Sequence, residues 1–160
     1  MALCSFFWFD LPAYEVAAAH KEHGPVYFYT FAHRSPRHGA GHGLEIPFLF
    51  GRLDRDEPDR EFYLKHFVGT EPGGENAAAV NKITADVQAA WGNFARTGEP
   101  AAMGQTTWPA FPSKMLIDSE SRSGNVVTAE IQLWGEVKRL LLEEIEGLFD
   151  ENPKLTHGLV

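Results

Sequence analysis

The stretch Gly39–Ala40–Gly41–His42–Gly43–Leu44–Glu45–Ile46–Pro47–Phe48–Leu49–Phe50–Gly51 holds the residues best suited to chemistry. An imidazole with a pKa of about 6.5 can take a proton from a hydroxyl and hand it to a leaving group. Glycines on both sides of His42 let the chain turn sharply and keep bulk away from the ring. Spacing alone leaves a second reading open, a solvated loop histidine with no task. His20, His23, His33 and His38 lie close by in sequence. A metal site needs several neutral imidazoles or carboxylates converging in space. His20-x-x-His23 and His38-x-x-x-His42 have tolerable helical spacing, but the second pair falls in a Gly/Pro loop and no His-Glu-x-x-His occurs. No metal ligand and no organic cofactor is therefore assigned, and His42 is the single candidate catalytic residue.

The elements that must position His42 can be read from periodicity. Residues 12–23 predict a short helix: Pro12 suits a first turn, Ala17–Ala18–Ala19 favours helix and Gly24 stops it. Pro25–Val26–Tyr27–Phe28–Tyr29–Thr30–Phe31 is β-branched and aromatic with almost no polar alternation. That pattern predicts a strand buried on both faces, as in a parallel sheet covered by helices. Reactive groups in α/β folds sit at the carboxyl ends of such strands, and His42 follows this one. Residues 32–43 read as loop, 52–60 as a charged surface stretch and 68–75 as a Pro/Gly loop. Val80, Ile83, Val87, Trp91 and Phe94 make one apolar stripe on a helix from Asn76, its N-cap, to Thr97, with Gly98 as the stop. Gly92 inside it costs about 1 kcal/mol relative to Ala and would permit close packing. Met115–Leu116–Ile117 predicts a short strand. Residues 129–149 predict a last helix with Ile131, Trp134, Leu141, Ile145 and Leu148 on one side. Phe6, Phe7, Trp8 and Phe9 are expected in the core, with a lid or acyl-pocket wall as the alternative; Trp91, Trp108 and Trp134 read as packing residues.

The fold class is thus α/β, with a deficit. Two strands do not make a stable open sheet. Left alone, Val26–Phe31 would be an exposed apolar edge. The chain is expected to be part of an α/β domain, with an incomplete sheet.

Composition narrows the partners. The 160 residues carry 14 Lys and Arg against 22 Asp and Glu, a net charge of −8. Nucleic acid needs clustered basic side chains, and here they are scattered. Cys4 is the only cysteine, so no intrachain disulfide can form, which favours a reducing compartment. The apolar opening from Met1 to Phe9 is far shorter than the ~20 residues that span a bilayer. It lacks a basic leader, and Asp10 and Pro12 follow at once, so it makes a poor signal peptide and a cytoplasmic location is favoured.

His42–Gly43–Leu44–Glu45–Ile46–Pro47–Phe48–Leu49–Phe50–Gly51 resembles the histidine motif of the type-B carboxylesterases. These are α/β-hydrolases that include the cholinesterases and the bacterial para-nitrobenzyl-type esterases. Phe9–Asp10–Leu11–Pro12–Ala13 resembles the family's Phe-x-x-Pro segment, and Pro25–Val26–Tyr27–Phe28–Tyr29 the strand feeding the histidine loop. Trp91–Gly92–Asn93–Phe94–Ala95–Arg96–Thr97–Gly98–Glu99–Pro100 resembles Trp-x-x-Phe-Ala-x-Thr-Gly-x-Pro, and Trp108–Pro109–Ala110–Phe111 the Trp-Pro-x-Tyr that follows. Each motif is modest alone, but they stand in family order over residues 9 to 118, and the match is looser over 119–160. The resemblance implies that residues 1–160 are the C-terminal portion of a carboxylesterase type-B domain. It implies that His42 is the general base of a Ser–His–acid triad. Glu45 is not the family's triad acid and is read as a structural partner of the loop.

In α/β-hydrolases the chain order is Ser, acid, His, which would put both partners upstream of Met1. In agreement, no Gly-x-Ser-x-Gly and no Gly-rich oxyanion-hole segment occurs in the sequence. Essentially no esterase turnover is expected from this chain alone. The chain reads as a truncated gene product or as one piece of a split enzyme; the partners implied are a complementing N-terminal chain in the second case and a small-molecule ester once the upstream region completes the site, with no nucleic acid and no membrane span. The alternative is a non-catalytic binding module built from the same fold.

Overall fold

The computed structural model describes residues 3–35, 39–51, 60–65 and 77–151. Its elements are α1 (Leu3–Ser5), a π-helical turn (Phe6–Asp10), α2 (Leu11–His20), β1 (Phe28–Phe31), α3 (Ile46–Leu49), α4 (Arg60–Tyr63), α5 (Ala77–Thr97), β2 (Ser113–Ile117), β3 (Arg122–Asn125) and α6 (Ala129–Glu151). They form two compact units, Pro12–Val126 on the one hand and Met1–Leu11 with Val127–Val160 on the other. The charged stretch expected at 52–60 (apart from Arg60), the loop at 68–75 and the cap at Asn76 lie outside the described residues.

Within Pro12–Val126 the sheet has three strands in the order β1-β2-β3. β1 pairs parallel with β2, from Phe28 opposite Lys114 to Phe31 opposite Ile117. The parallel pairing expected of β1 is therefore present. The strand itself is shorter than Pro25–Phe31 and half-buried rather than buried on both faces. Its two sides explain why. On one side Tyr27 meets Phe94, Tyr29 meets Trp91 and Phe31 meets Phe48, with ring centroids 6.0, 5.0 and 5.1 Å apart. On the other side Phe28 meets Phe111, which meets Tyr14 of α2, at 6.4 and 5.9 Å. Thr30, on that second side, is exposed. Among the described residues β1 pairs with β2 only, so it forms one edge of the sheet.

β3 is the strand that periodicity missed. Arg122–Ser123–Gly124–Asn125 has little β propensity and is held by its antiparallel register with β2, Ser113 opposite Asn125 to Leu116 opposite Arg122. A Cβ at Gly124 would stand 3.1 Å from Leu116 Cδ1, so the absence of a side chain is what lets Leu116 lie across the strand. The connection is tied by Ser121 Oγ donating to the Asp118 carbonyl at 3.0 Å.

One cluster of buried side chains fills this unit: Leu44, Phe48, Leu64, Val80, Ile83, Val87, Ala90, Met103, Trp108, Met115 and Ile117. α5 supplies four of these, Val80, Ile83, Val87 and Ala90, at helical gaps. The expected stripe thus drifts at its end: Ala90 takes the buried place, while Phe94 is 48% exposed. Gly98 stops the helix as expected, with φ of 79° and its N–H on the Phe94 carbonyl at 2.8 Å. Trp108 stands edge-on to Trp91 at 5.4 Å and to Tyr29 at 6.2 Å. Among the described residues its buried indole Nε1 has no acceptor. An unpaired N–H costs about 1–3 kcal/mol. Burying a ring of ~200 Å² returns about 5 kcal/mol, so packing wins.

The second unit contains α6, which begins where Thr128 Oγ1 accepts the Ile131 N–H at 3.5 Å. Ile131 is buried and Trp134 meets Phe7 edge-on at 5.3 Å. Leu141, on the same side of the helix, is 51% exposed. The side chains of Ile145 and Leu148 lie outside the described ones. The aromatic run also departs from expectation: Trp8 is 77% and Phe9 56% exposed rather than core. Consecutive side chains on a helical turn fan out around its axis, so four in a row cannot share one buried face. Among the described residues no helix is long and apolar enough to cross a membrane.

Gly92 does not mark a close approach. A Cβ there meets only the flexible Arg96 guanidinium at 3.4 Å. Gly92→Ala is therefore expected to stabilise the chain by about 1 kcal/mol. A higher urea midpoint at unchanged slope would show it; a lower midpoint would mean that the glycine is needed for packing.

Candidate functional site

Both parallel strands end at the same edge of the sheet, and the chain leaves β1 there through Ala32, His33 and Arg34. The Ala32 and His33 N–H groups both donate to the Ile117 carbonyl, at 2.8 and 3.1 Å. Ser35 and Gly39 then exchange backbone hydrogen bonds at 3.0 and 2.8 Å. The turn that follows carries His42. Its backbone is closed by the Leu44 N–H on the Gly41 carbonyl and the Ile46 N–H on the Gly43 carbonyl, each at 3.2 Å. Gly43 has φ of 78°, a region that side-chain-bearing residues rarely adopt, so the glycine after His42 is required by the turn.

The pattern of anchors around His42 is informative. His42 itself is exposed, while Leu44 and Phe48 are 3% and 0% exposed. Pro47, at the start of α3, is also buried. Gln88 of α5 donates to the Phe48 carbonyl at 3.2 Å, which fixes α3 against the long helix. The apolar residues of the motif thus serve as roots that hold a solvent-facing imidazole. An exposed imidazole in a fixed turn can exchange protons with a reacting hydroxyl brought to it.

Glu45 sits immediately before α3 with helical backbone angles, and its side chain makes no capping hydrogen bond. Its carbonyl accepts the Leu49 N–H at 3.0 Å. Its charge reaches Tyr29: burial, and then the Glu45 carboxylate, push the Tyr29 phenol above its ordinary value. The loop and the strand beneath it are therefore coupled electrostatically.

A second histidine at this edge escaped the motif reading. His33 Nδ1 lies 3.3 Å from Asp118 Oδ1, with side-chain exposures of 12% and 35%. A carboxylate only accepts, so Nδ1 carries the proton of this bond and Nε2 is the acceptor in the neutral ring. Asp118 Oδ1 also accepts the Ser119 N–H at 2.8 Å. His33 follows β1 after Ala32 and Asp118 follows β2 directly, and two polar residues just beyond parallel strands were the available signal. Of the other histidines, His20 and His23 have ring centroids 6.2 Å apart, and His38 lies outside the described residues. Among the described residues no three His, Cys, Asp or Glu converge as a metal site. A hollow of about 200 Å³ lies between Tyr29, Trp91, Phe94 and Trp108, and His42 does not line it.

Comparison with known proteins gives a consistent result. A sequence model described as the carboxylesterase family matches residues 1–134. The chain is 30% identical to a pyrethroid hydrolase of Rattus norvegicus, over 93% of this chain and 26% of that protein. It is 32% identical to the para-nitrobenzyl esterase of Bacillus subtilis, over 71% of this chain and 22% of that one. Among solved structures it is similar to a PNB esterase, with a TM-score of 0.57, 29% identity, and coverage of 76% of this chain and 24% of that one. A Geobacillus stearothermophilus carboxylesterase shares the fold at a TM-score of 0.62 and 22% identity, over 81% of this chain and 26% of that one. The chain spans about a quarter of the length of the relatives it matches.

Tyr29 gives a solution check on this geometry. Its phenol is expected to ionise above pH 10, and Glu45→Gln should lower the midpoint, read by absorbance at the tyrosinate band. A raised folded-state value means that the native state holds the proton longer than the unfolded one. The contribution of Tyr29 to stability is therefore whole below pH ~10 and is lost as pH rises through the higher folded value. A midpoint indifferent to Glu45→Gln would refute the coupling.

Proposed function

Because this chain belongs to the carboxylesterase family, we propose that it is the portion of a carboxylic-ester hydrolase that carries the triad histidine, with His42 as general base. The observation that carries the proposal is the placement of His42: an exposed ring in a glycine-bounded turn, beyond the carboxyl end of a parallel strand, rooted by buried Leu44 and Phe48. Residues 1–160 are read as the C-terminal segment of a type-B domain, with 119–160 as its less typical end. A complementing N-terminal polypeptide would supply the nucleophilic serine, the acid and the oxyanion hole.

In the complete assembly His42 takes the serine hydroxyl proton as the oxygen attacks the ester carbonyl. It returns that proton to the departing alcohol, leaving an acyl-serine. Water then repeats the cycle: His42 accepts its proton, the acyl–oxygen bond breaks, and the serine is reprotonated as the carboxylic acid leaves. The chain contributes the proton carrier and its support. It contributes neither nucleophile nor oxyanion donors, so this segment alone is expected to be inactive. No resident metal or organic cofactor enters this scheme.

A chimaera tests the proposal: the matched segment of the Bacillus subtilis para-nitrobenzyl esterase is replaced by this chain. The 160 residues alone are expected to leave p-nitrophenyl acetate hydrolysis at the buffer rate, and the chimaera to raise it well above that rate. His42→Ala in the chimaera should then lower kcat on the order of 10⁶-fold. Clear turnover by the isolated chain, or an active His42→Ala chimaera, would overturn the assignment.

A further inference from the structure

We propose that His33 is a positioning residue for His42, one imidazole that clasps both ends of the segment carrying the catalytic ring. The inference rests on the reading of His42 as general base. Three observations place His33 in this role.

The first is its anchorage to the sheet. Its backbone N–H shares the Ile117 carbonyl with Ala32, and its Nδ1–H donates to Asp118 Oδ1 at 3.3 Å, a residue 85 positions away in sequence. That carboxylate is itself held by the Ser119 N–H at 2.8 Å, so it is a fixed post rather than a swinging one. The second is the reach of its ring. The imidazole stands edge-on to Phe48, with centroids 5.7 Å apart and planes at 71°. Phe48 is fully buried, and its carbonyl is tied to Gln88. His33 thus touches the point where the segment leaves β1 and the point where it re-enters the core. The third is the exposure of what lies between: His42 faces solvent. The turn that carries it lies between those two ends, with a root at Leu44. Neither phenylalanine nor asparagine could replace His33: the first has the ring without the donor, the second the donor without the ring.

A displacement of about 1 Å in a catalytic group can cost ~10²-fold in rate, so loss of the clasp should register in kcat rather than in substrate binding. Two measurements decide. In the full 160-residue chain, His33→Phe and His33→Asn are expected to speed amide hydrogen exchange in residues 40–46 while leaving the interior of α5 unchanged. In the esterase chimaera, His33→Phe and Asp118→Ala are each expected to lower kcat by about 10- to 100-fold with KM within about twofold. The double variant should be no worse than the poorer single one, because the two residues act as a unit. His33→Asn, which keeps the Asp118 bond, should recover part of the rate that His33→Phe loses. Unchanged exchange in 40–46, or additive losses in kcat, would overturn the clasp. So would a fall in kcat that merely follows a lower melting temperature. An inactive chimaera with His33 intact would instead count against the general-base reading, and the exchange measurement would then decide alone whether His33 holds the segment.

Discussion

The parallel pairing of β1 with β2 is the constraint on which the rest of the structure depends. Parallel neighbours cannot be joined by a hairpin and need a long crossover. Here the crossover contains nearly everything of interest: the exit at His33, the turn of His42, the buried root at Phe48, and α5. The Ile117 carbonyl, which accepts two N–H groups from the start of that crossover, is the junction. From it the chain rises to the exposed turn and returns to the core through Leu44 and Phe48. α5 then packs Phe94 and Trp91 against Tyr27 and Tyr29. A candidate site at the carboxyl edge of parallel strands is thus a product of topology before it is a product of motif.

Packing and electrostatics divide the work between them. The aromatic group of Tyr29, Trp91 and Trp108 fixes β1 against α5 by edge-on ring contacts. It does so even though the buried indole N–H of Trp108 has no acceptor among the described residues. Nearer the turn, polar contacts take over: His33 with Asp118, Gln88 with the Phe48 carbonyl, and the field of Glu45 at Tyr29. The apolar layer resists movement, and the polar layer sets direction. An exposed imidazole needs both, since it has little burial of its own to hold it.

What could be read from the amino-acid sequence follows from how local each signal is. The α5 helix was legible because its apolar gaps and its glycine stop are local, although its last turn faced solvent more than the stripe suggested. β1 was legible in kind, since aromatic and β-branched residues in a run favour a paired strand, but its burial depended on which helices reached it. β3 was not legible: Arg122, Ser123, Gly124 and Asn125 become a strand through β2, and Gly124 earns no notice until Leu116 is seen lying over it. The motif around His42 was legible as a histidine set between glycines. The His33–Asp118 pair was not, because its partners are 85 positions apart and only the sheet brings them together. The run from Phe6 to Phe9 misled for a related reason: composition suggested core, and helical geometry dispersed it.

The separation between β1 and β2 also orders events in time. Phe28 and Lys114 must meet across most of the unit before a single rung of the parallel ladder exists, and closing so long a loop costs entropy before any contact rewards it. α5 can form early from contacts within one turn of itself, and the β2–β3 hairpin from pairs as near in sequence as Leu116 and Arg122. The Ile117 junction, and with it the stance of the His42 turn, can be completed only after the crossover has folded back. In a chain that emerges residue by residue, β1 and the His42 segment wait for β2 to be synthesised, with their apolar and aromatic side chains the most in need of protection during that interval.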